Sequence, residues 1–407
     1  MIEVKAVRSK RDLKAFIATP NLLYRGDPNY VPALQVQAKA LFDRRKYPLF
    51  KHSEAEFFLA LDQGRPVGRI VAFRNVPHLE RTGDGTGFFG FFESVEEFAV
   101  ARKLLDAAVG WLSGKGLTSV VGPENYTTNE TCGALVAGFD DPPVVMMPYN
   151  KPFYPDHFER YGFRRELDLV SYRIRKGQSR LDGLTETRLR LERRLAGHGV
   201  TIGPVDMRRF DAEMEAMRLA YNLAFCDSWG FVPISAEEFR YYARDIRKIT
   251  GPDMMLLAKH GRETVGFLCV LPDINQVLIK IRGGRLLPFG IFRLLFGRKR
   301  ISRVRLLIFG VVPEFRNRGI DLCLSSRLFD GATSRGITEA EAGYVMVGNE
   351  AINSILPKFG GEVTKRFRLY RLGIGADVEQ ASVTIPTQQN DKIAKDDLII
   401  DNGPPIR

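Results

Sequence analysis

The stretch Val304-Arg305-Leu306-Leu307-Ile308-Phe309-Gly310-Val311-Val312-Pro313-Glu314-Phe315-Arg316-Asn317-Arg318-Gly319-Ile320 decides the architecture. It opens as an apolar strand and passes through an Arg/Gly turn. Helical spacing then runs from Leu322 to Thr333. A strand that turns into a helix this way leaves several backbone N–H groups unpaired and aimed at one spot. That spot suits a phosphate, because a helix N-terminus carries partial positive charge. Arg316 and Arg318 can add bidentate bonds to phosphate oxygens, and Gly319 lets a ligand come close to the backbone.

About thirty residues on, Glu339 to Val347 reads as another strand. It leads to Asn349, a short helix through Asn353 and Ile355, a Gly360-Gly361 turn, and a strand-like Phe367 to Leu372. The two motifs together resemble the acyl-CoA-binding core of the GNAT N-acyltransferase superfamily. One position departs from it: Asp321 stands where the signature has a small residue, and a carboxylate there could repel a pyrophosphate. The resemblance implies an α/β (α+β) chain of two tandem GNAT-like domains, each a mixed twisted sheet flanked by helices. It implies an acyl thioester co-substrate, acyl-CoA or acyl carrier protein, with no permanently bound cofactor. Donor phosphates would meet the backbone of Arg316 to Ile320, and Asn349 and Asn353 the pantetheine arm. The oxyanion would form beside Phe309 to Val312, with Val311 and Val312 at the donor site.

At 407 residues, 44% apolar and 27% charged, the chain is long enough for two domains with substantial cores. No apolar run approaches the ~20 residues of a membrane span. The opening Met1-Ile-Glu-Val-Lys-Ala-Val lacks a charged-then-apolar signal, so a cytoplasmic place is expected. Cys132, Cys226, Cys269 and Cys323 are scattered, as are the five histidines, so neither disulfides nor a metal site is expected.

The net charge of +12 is unevenly placed: no acidic residue occurs between Asp273 and Glu314. In that gap Lys280, Arg282, Arg285, Arg293, Arg298, Lys299, Arg300, Arg303 and Arg305 alternate with Leu286, Leu287, Phe289, Phe292 and Phe296. Cations flanking large apolar side chains fit an anionic membrane surface, which would make the protein peripheral on the inner membrane. A solvated basic helix is the equal alternative, and nucleic acid fits the aliphatic bulk poorly.

The first half reads as a second copy. Ala55 to Asp62 and Val67 to Asn75 form a hairpin; Phe88 to Glu93 and Leu117 to Gly122 flank a helix over Val95 to Gly114; Leu167 to Ile174 closes it. This copy lacks the Arg-x-x-Gly turn and starts its helix with acidic residues, so no donor is expected there. The division is then a degenerate GNAT-like domain over 1–176, a linker helix over 177–199, a donor-binding domain over 200–375 and a polar tail over 376–407.

A wider resemblance runs through Gly122-Pro123, Asn125, Asn129, Gly138-Phe139-Asp140, Asp227-Ser228-Trp229-Gly230-Phe231 and Leu271-Pro272-Asp273-Ile274-Asn275. It points to bacterial tandem-GNAT proteins, among or near which are enzymes of bacterial ceramide synthesis. It implies N-acylation of a primary amine, plausible acceptors being long-chain sphingoid-type amines. Asp227 or Asp273 is the candidate base, Tyr344 the candidate acid, and Asn125, Asn129, Glu130, Trp229 and Asn275 candidate acceptor contacts. Each has a plainer reading as a turn, loop or core residue. The alternative for the whole chain is a non-catalytic double GNAT that binds lipid or a protein partner.

Overall fold

The computed structural model describes residues 1–181 and 183–374; the tail expected from Ala376 lies outside them. Two runs of strands succeed each other. The first is β1 (Ile2–Ala6), β2 (Glu54–Asp62), β3 (Arg65–Arg74), β4 (Thr86–Ser94), β5 (Ser119–Gly122), β6 (Ala134–Ala137) and β7 (Arg164–Arg175). The second is β8 (Val200–Pro204), β9 (Met255–His260), β10 (Glu263–Pro272), β11 (Arg303–Val311), β12 (Glu339–Met346) and β13 (Gly361–Gly373).

Both runs share one sheet, ordered β1-β2-β3-β4-β5-β13-β7-β12-β11-β10-β9-β8, with β6 also on β13. The two halves exchange their closing strands. β13 pairs with β5 of the first half (Tyr370↔Gly122), while β7 pairs with β12 of the second (Tyr172↔Ala342). The strand expected over Leu167 to Ile174 is present, but it completes the second half's part of the sheet rather than its own.

Each half is antiparallel except for one parallel pair, β4 with β5 and β11 with β12. Parallel neighbours need a crossover, and helices supply it. Phe98–Ser113 crosses in the first half, burying Val100, Leu104, Leu105 and Leu112 at helical spacing. Ile320–Ser334 crosses in the second. Two further helices, Phe210–Ala224 and Ala236–Ile249, lead into β9; the latter starts with a capping box of Ser235 and Glu238. The connecting helix Thr185–Gly197 lies against Ile320–Ser334, tied by Arg188–Asp330 (3.0 Å) and Arg327–Glu192 (2.8 Å) pairs.

The basic, apolar segment between β10 and β11 divides in two. Its base packs on the first half, where Leu278 and Ile281 join Leu34 in a small core. A Cβ at Gly284 would collide with the Ala33 carbonyl, so only glycine fits that seat. The outer part, with helix Gly290–Gly297, leaves Leu287 (78%), Phe289 (73%) and Phe296 (71%) exposed beside Arg285, Arg293, Arg298, Lys299 and Arg300. Arg303 and Arg305, read from sequence as part of this surface cluster, are instead buried in β11. Strand alternation turns both inward, where Arg303 pairs with Asp273 (3.0 Å) and Arg305 donates to the Val145 carbonyl (2.8 Å).

Candidate active site

The parallel pairing of β11 and β12 runs from Arg303↔Glu339 to Leu306↔Ala342 and stops. Beyond it β11 stays with β10 as far as Val311↔Gly266, while β12 leaves with β7 at Val345↔Val170 and Met346↔Leu169. A bulge assists: Cys269 opposes Ile308 and Val270 opposes Leu306, so Leu307 has no counterpart on β10. The result is a V-shaped opening whose two edges, Leu307–Val311 and Gly343–Met346, line one cavity of about 1350 Å³. Ordinary small-molecule pockets hold about 300–1,000 Å³.

One end of the cavity reaches the start of helix Ile320–Ser334, touching Arg316, Asn317, Gly319, Ile320 and Asp321. Gly319 sits there at φ +85°, a conformation that favours glycine, and no side chain caps the helix. The first bond of this helix runs from Cys323 N–H to the Gly319 carbonyl, so the amides of Ile320 to Leu322 are left over by the helix itself. Arg316 donates to the carbonyls of Val311 (3.2 Å) and Ala224 (2.9 Å), and Arg318 to that of Glu314 (2.9 Å). Both guanidiniums therefore hold the loop in shape while staying exposed. Asp321 is exposed in the first turn, a position that favours helix initiation.

Much of the remaining wall is apolar, with Met214, Met217, Phe239, Ile246 and Leu268. The roof comes from the first half: Thr128, Asn129, Glu130 and Cys132. Asn129 accepts a short hydrogen bond from Tyr221, one turn before Ala224. A Cβ at Gly310 would stand 2.6 Å from the Phe267 ring and 3.2 Å from the Ala224 Cβ, so glycine lets the ring and the helix pack this closely on β11. Glu130 accepts hydrogen bonds from Tyr47 and from Tyr242 (3.2 Å) through Oε1, and its buried Oε2 has no partner. Burial pushes the Glu130 carboxyl up to about 8, against the pull of the two tyrosine hydroxyls.

Tyr344 lines the cavity on the splayed edge of β12, edge-on to Phe367 (5.3 Å) and with the Arg305 guanidinium 5.3 Å from its ring centre. Burial raises its hydroxyl well above the ordinary tyrosine value, so the group stays protonated. Asn349, Trp229 and Asp227 also line the cavity. Asn349 accepts from Ile352 N–H (3.2 Å) as cap of the short helix, and Asp227 is exposed at the rim.

Other expected site residues are used elsewhere. Asp273 is buried, bound to Arg303 and to Val145 N–H (2.9 Å), away from the cavity wall, and so is not placed to take a proton from a substrate. Asn275 donates to the Pro143 carbonyl (2.8 Å) in the same region. Asn353 donates to the carbonyls of Met346 and Val347 (both 2.9 Å) and accepts from Tyr172, so its amide serves the end of β12. Val312 is buried and donates to the Val265 carbonyl (2.9 Å).

Asn125 explains why the first half differs. Its Oδ1 accepts Phe91 N–H (2.7 Å), and the next-door Glu124 N–H bonds the Phe89 carbonyl (2.7 Å). The opening between β4 and β5, equivalent to that between β11 and β12, is thereby filled by the chain itself. Tyr154 covers the region before its helix, accepting from Ser94 N–H (2.9 Å).

Tyr221, Tyr242, Tyr47 and Arg305 were not singled out from sequence as site residues. Each lies far along the chain from what it meets, and nothing local marks it.

No family model matches the chain. Over 374 residues it is 32% identical to Protein YghO of Escherichia coli strain K12, covering 90% of this chain and 94% of that protein. It is 31% identical over 376 residues to the bacterial ceramide synthase of Caulobacter vibrioides, covering 91% and 97%. Among solved structures, a tandem GNAT protein from the clavulanic acid biosynthesis pathway superposes with a TM-score of 0.54 at 11% identity, over 92% of this chain and 99% of that one. The chain therefore belongs to the family of Protein YghO and bacterial ceramide synthase, and its fold is that of a tandem GNAT protein.

Proposed function

We propose that the protein is an N-acyltransferase that moves a long acyl group from an acyl thioester, acyl-CoA or acyl carrier protein, to a long-chain primary amine. One observation carries this: the splay between β11 and β12 opens directly into an apolar cavity larger than a short acyl group needs. A pantetheine arm is an extended chain with two amides, and it can bond strand edges as an added strand would. Backbone groups at Leu307 to Val311 and at Gly343 to Met346 would hold it, with Asn349 beside it. The amides of Gly319 to Leu322 would meet the phosphate. The filled splay of the first half argues for a single donor site, with the first half roofing the acceptor through Asn129 and Glu130, and Trp229 of the second half beside them.

In this geometry the thioester carbonyl would lie beside Phe309 to Val311, where a backbone N–H can bind the developing oxyanion. Tyr344, kept protonated, would hydrogen-bond the departing sulfur. A thiol of ordinary pKa near ~8.5 leaves readily with that help.

The exposed Leu287, Phe289 and Phe296 with their ring of arginines would set the enzyme on an anionic lipid surface, where such an amine dissolves. Among the described residues no helix is long and apolar enough to cross a membrane. The test is incubation of the purified protein with labelled acyl-CoAs of graded length and a panel of amines on anionic vesicles. The proposal expects an amide product that favours long chains on both sides. Absence of binding to any thioester, including acyl carrier protein, would end it.

A further inference from the structure

Four carboxyl groups line the large cavity: Glu130, Asp227, Asp321 and Glu339. Three are accounted for. Asp227 and Asp321 are exposed to water, and Glu339 lies within 3.6 Å of Arg175 and 3.9 Å of Arg303. Glu130 is the exception, because its Oε2 is buried without a partner while Tyr47 and Tyr242 hold Oε1. A buried polar atom left alone costs free energy unless something completes it. Among the described residues no cation does so; the charged and titratable groups around Glu130 are Tyr47, Tyr126, Tyr241, Tyr242, Glu124 and Glu238.

We propose that Glu130 is the acceptor-site base: its free Oε2 receives the ammonium of the long-chain amine and takes a proton from it. This rests on the transferase reading and deepens it, since it puts the amine's binding group on the first half and its reaction partner on the second. An ammonium in an apolar enclosure is weakened as a cation, and a neighbouring carboxylate becomes the better home for its proton. The transfer leaves R–NH2 and a neutral Glu130, still held by its tyrosines.

The freed nitrogen pair then attacks the thioester carbon. A C–N bond forms, the carbon–sulfur bond breaks, and the sulfur leaves as thiolate beside Tyr344. The second proton lost by nitrogen ends on that sulfur, and Glu130 later releases its own to solvent. One ammonium and one thioester thus give one amide, one thiol and one proton. Asn129, bonded to Tyr221, fixes the backbone next to the base, so Tyr47, Tyr242 and Asn129 are positioning residues.

The decisive variant is Glu130→Gln, which keeps the shape and the tyrosine hydrogen bonds. Two measurements separate this inference from the transferase reading. Calorimetric titration with a long-chain alkylamine in detergent micelles should show at least tenfold weaker binding to the variant, while acyl-CoA binding stays within twofold. In turnover, kcat should fall about 100-fold or more, with the thioester KM unchanged and the acid limb of the pH–rate profile gone. Equal amine binding by both proteins overturns the proposal even if neither turns over; so does a variant that keeps both kcat and the acid limb. Glu130→Asp, expected to restore part of kcat together with the limb, guards against a merely structural loss.

Discussion

Leu306 and Ala342 are the last residues at which β11 and β12 face each other as paired strands. Everything proposed for the donor begins there, because the next residues on each strand turn backbone edges to a cavity instead of to one another. The corresponding edge in the first half is closed by Glu124 and Asn125. The same architecture therefore appears twice in one chain, open once and plugged once.

The open copy depends on Gly319. At φ +85° any side chain is strained, and a Cβ there would come within 3.3 Å of Leu191. Gly319→Ala should cost about 1 kcal/mol of stability by strain while weakening thioester binding only modestly. Gly319→Glu adds a carboxylate at the phosphate position and should weaken acyl-CoA binding by more than tenfold beyond the alanine variant. Denaturant melts and a binding isotherm on both proteins separate the two effects.

Chain length should be set by the apolar wall. Met217→Trp puts extra volume into the apolar wall of the cavity, at an overpacking cost of about 1–3 kcal/mol. The ratio of kcat/KM for short over long acyl-CoAs should rise at least tenfold. A ratio that does not move would place the acyl chain elsewhere.

The exposed aromatic edge should govern vesicle binding and nothing else. Phe289, Phe292 and Phe296 are all exposed, and each would contribute about 1.5–3 kcal/mol if fully buried in lipid. Changing all three to serine should abolish flotation with anionic vesicles. Changing Arg298, Lys299 and Arg300 to glutamine should cost about 1 kcal/mol each and leave a residue of salt-independent binding. In both cases turnover of amine dispersed in detergent should stay within twofold.

Glu130 should leave a mark on stability as well as on rate. Its carboxyl is raised from about 4.5 to about 8 by burial, so the folded protein holds a proton there that the unfolded chain releases above about 4.5. Stability then falls as pH rises from about 4.5 to about 8, and is level in this respect above that. Glu130→Gln removes the loss, so the variant should melt higher than the wild type by several degrees at pH 9 and no higher at pH 4. Thermal melts across that range check it; a variant less stable at pH 9 would mean the carboxylate is held as an anion.

Much of this was legible in the sequence because it is local. The strand, the Arg316-to-Gly319 turn and the helix after it are contiguous, and so is the Asn349 cap with its following turn. The closing strands were legible as strands but not as exchanged ones, since Leu167 to Ile174 has the same pattern whichever neighbour it takes. Arg303 and Arg305 read as part of the basic surface because their sequence neighbourhood is basic. Only strand alternation with buried partners, Asp273 for one and loop carbonyls for the other, shows otherwise. Asp273 reads as a candidate base for a related reason: an acid beside a turn looks free until the arginine thirty residues on is placed beside it. Glu130 needed Tyr47 and Tyr242, both far away in the chain, before its unpaired oxygen meant anything.

The most direct test of the central claim is photolabelling with a long-chain acyl-CoA that carries a diazirine at the end of its acyl chain, followed by peptide mapping. The account predicts label in the helices Phe210–Ala224 and Ala236–Ile249, at or near Met214, Met217 or Phe239, and its loss on competition with unlabelled acyl-CoA. Label confined to the first half's Phe98–Ser113 region, or to the exposed Leu287–Phe296 edge, would contradict it.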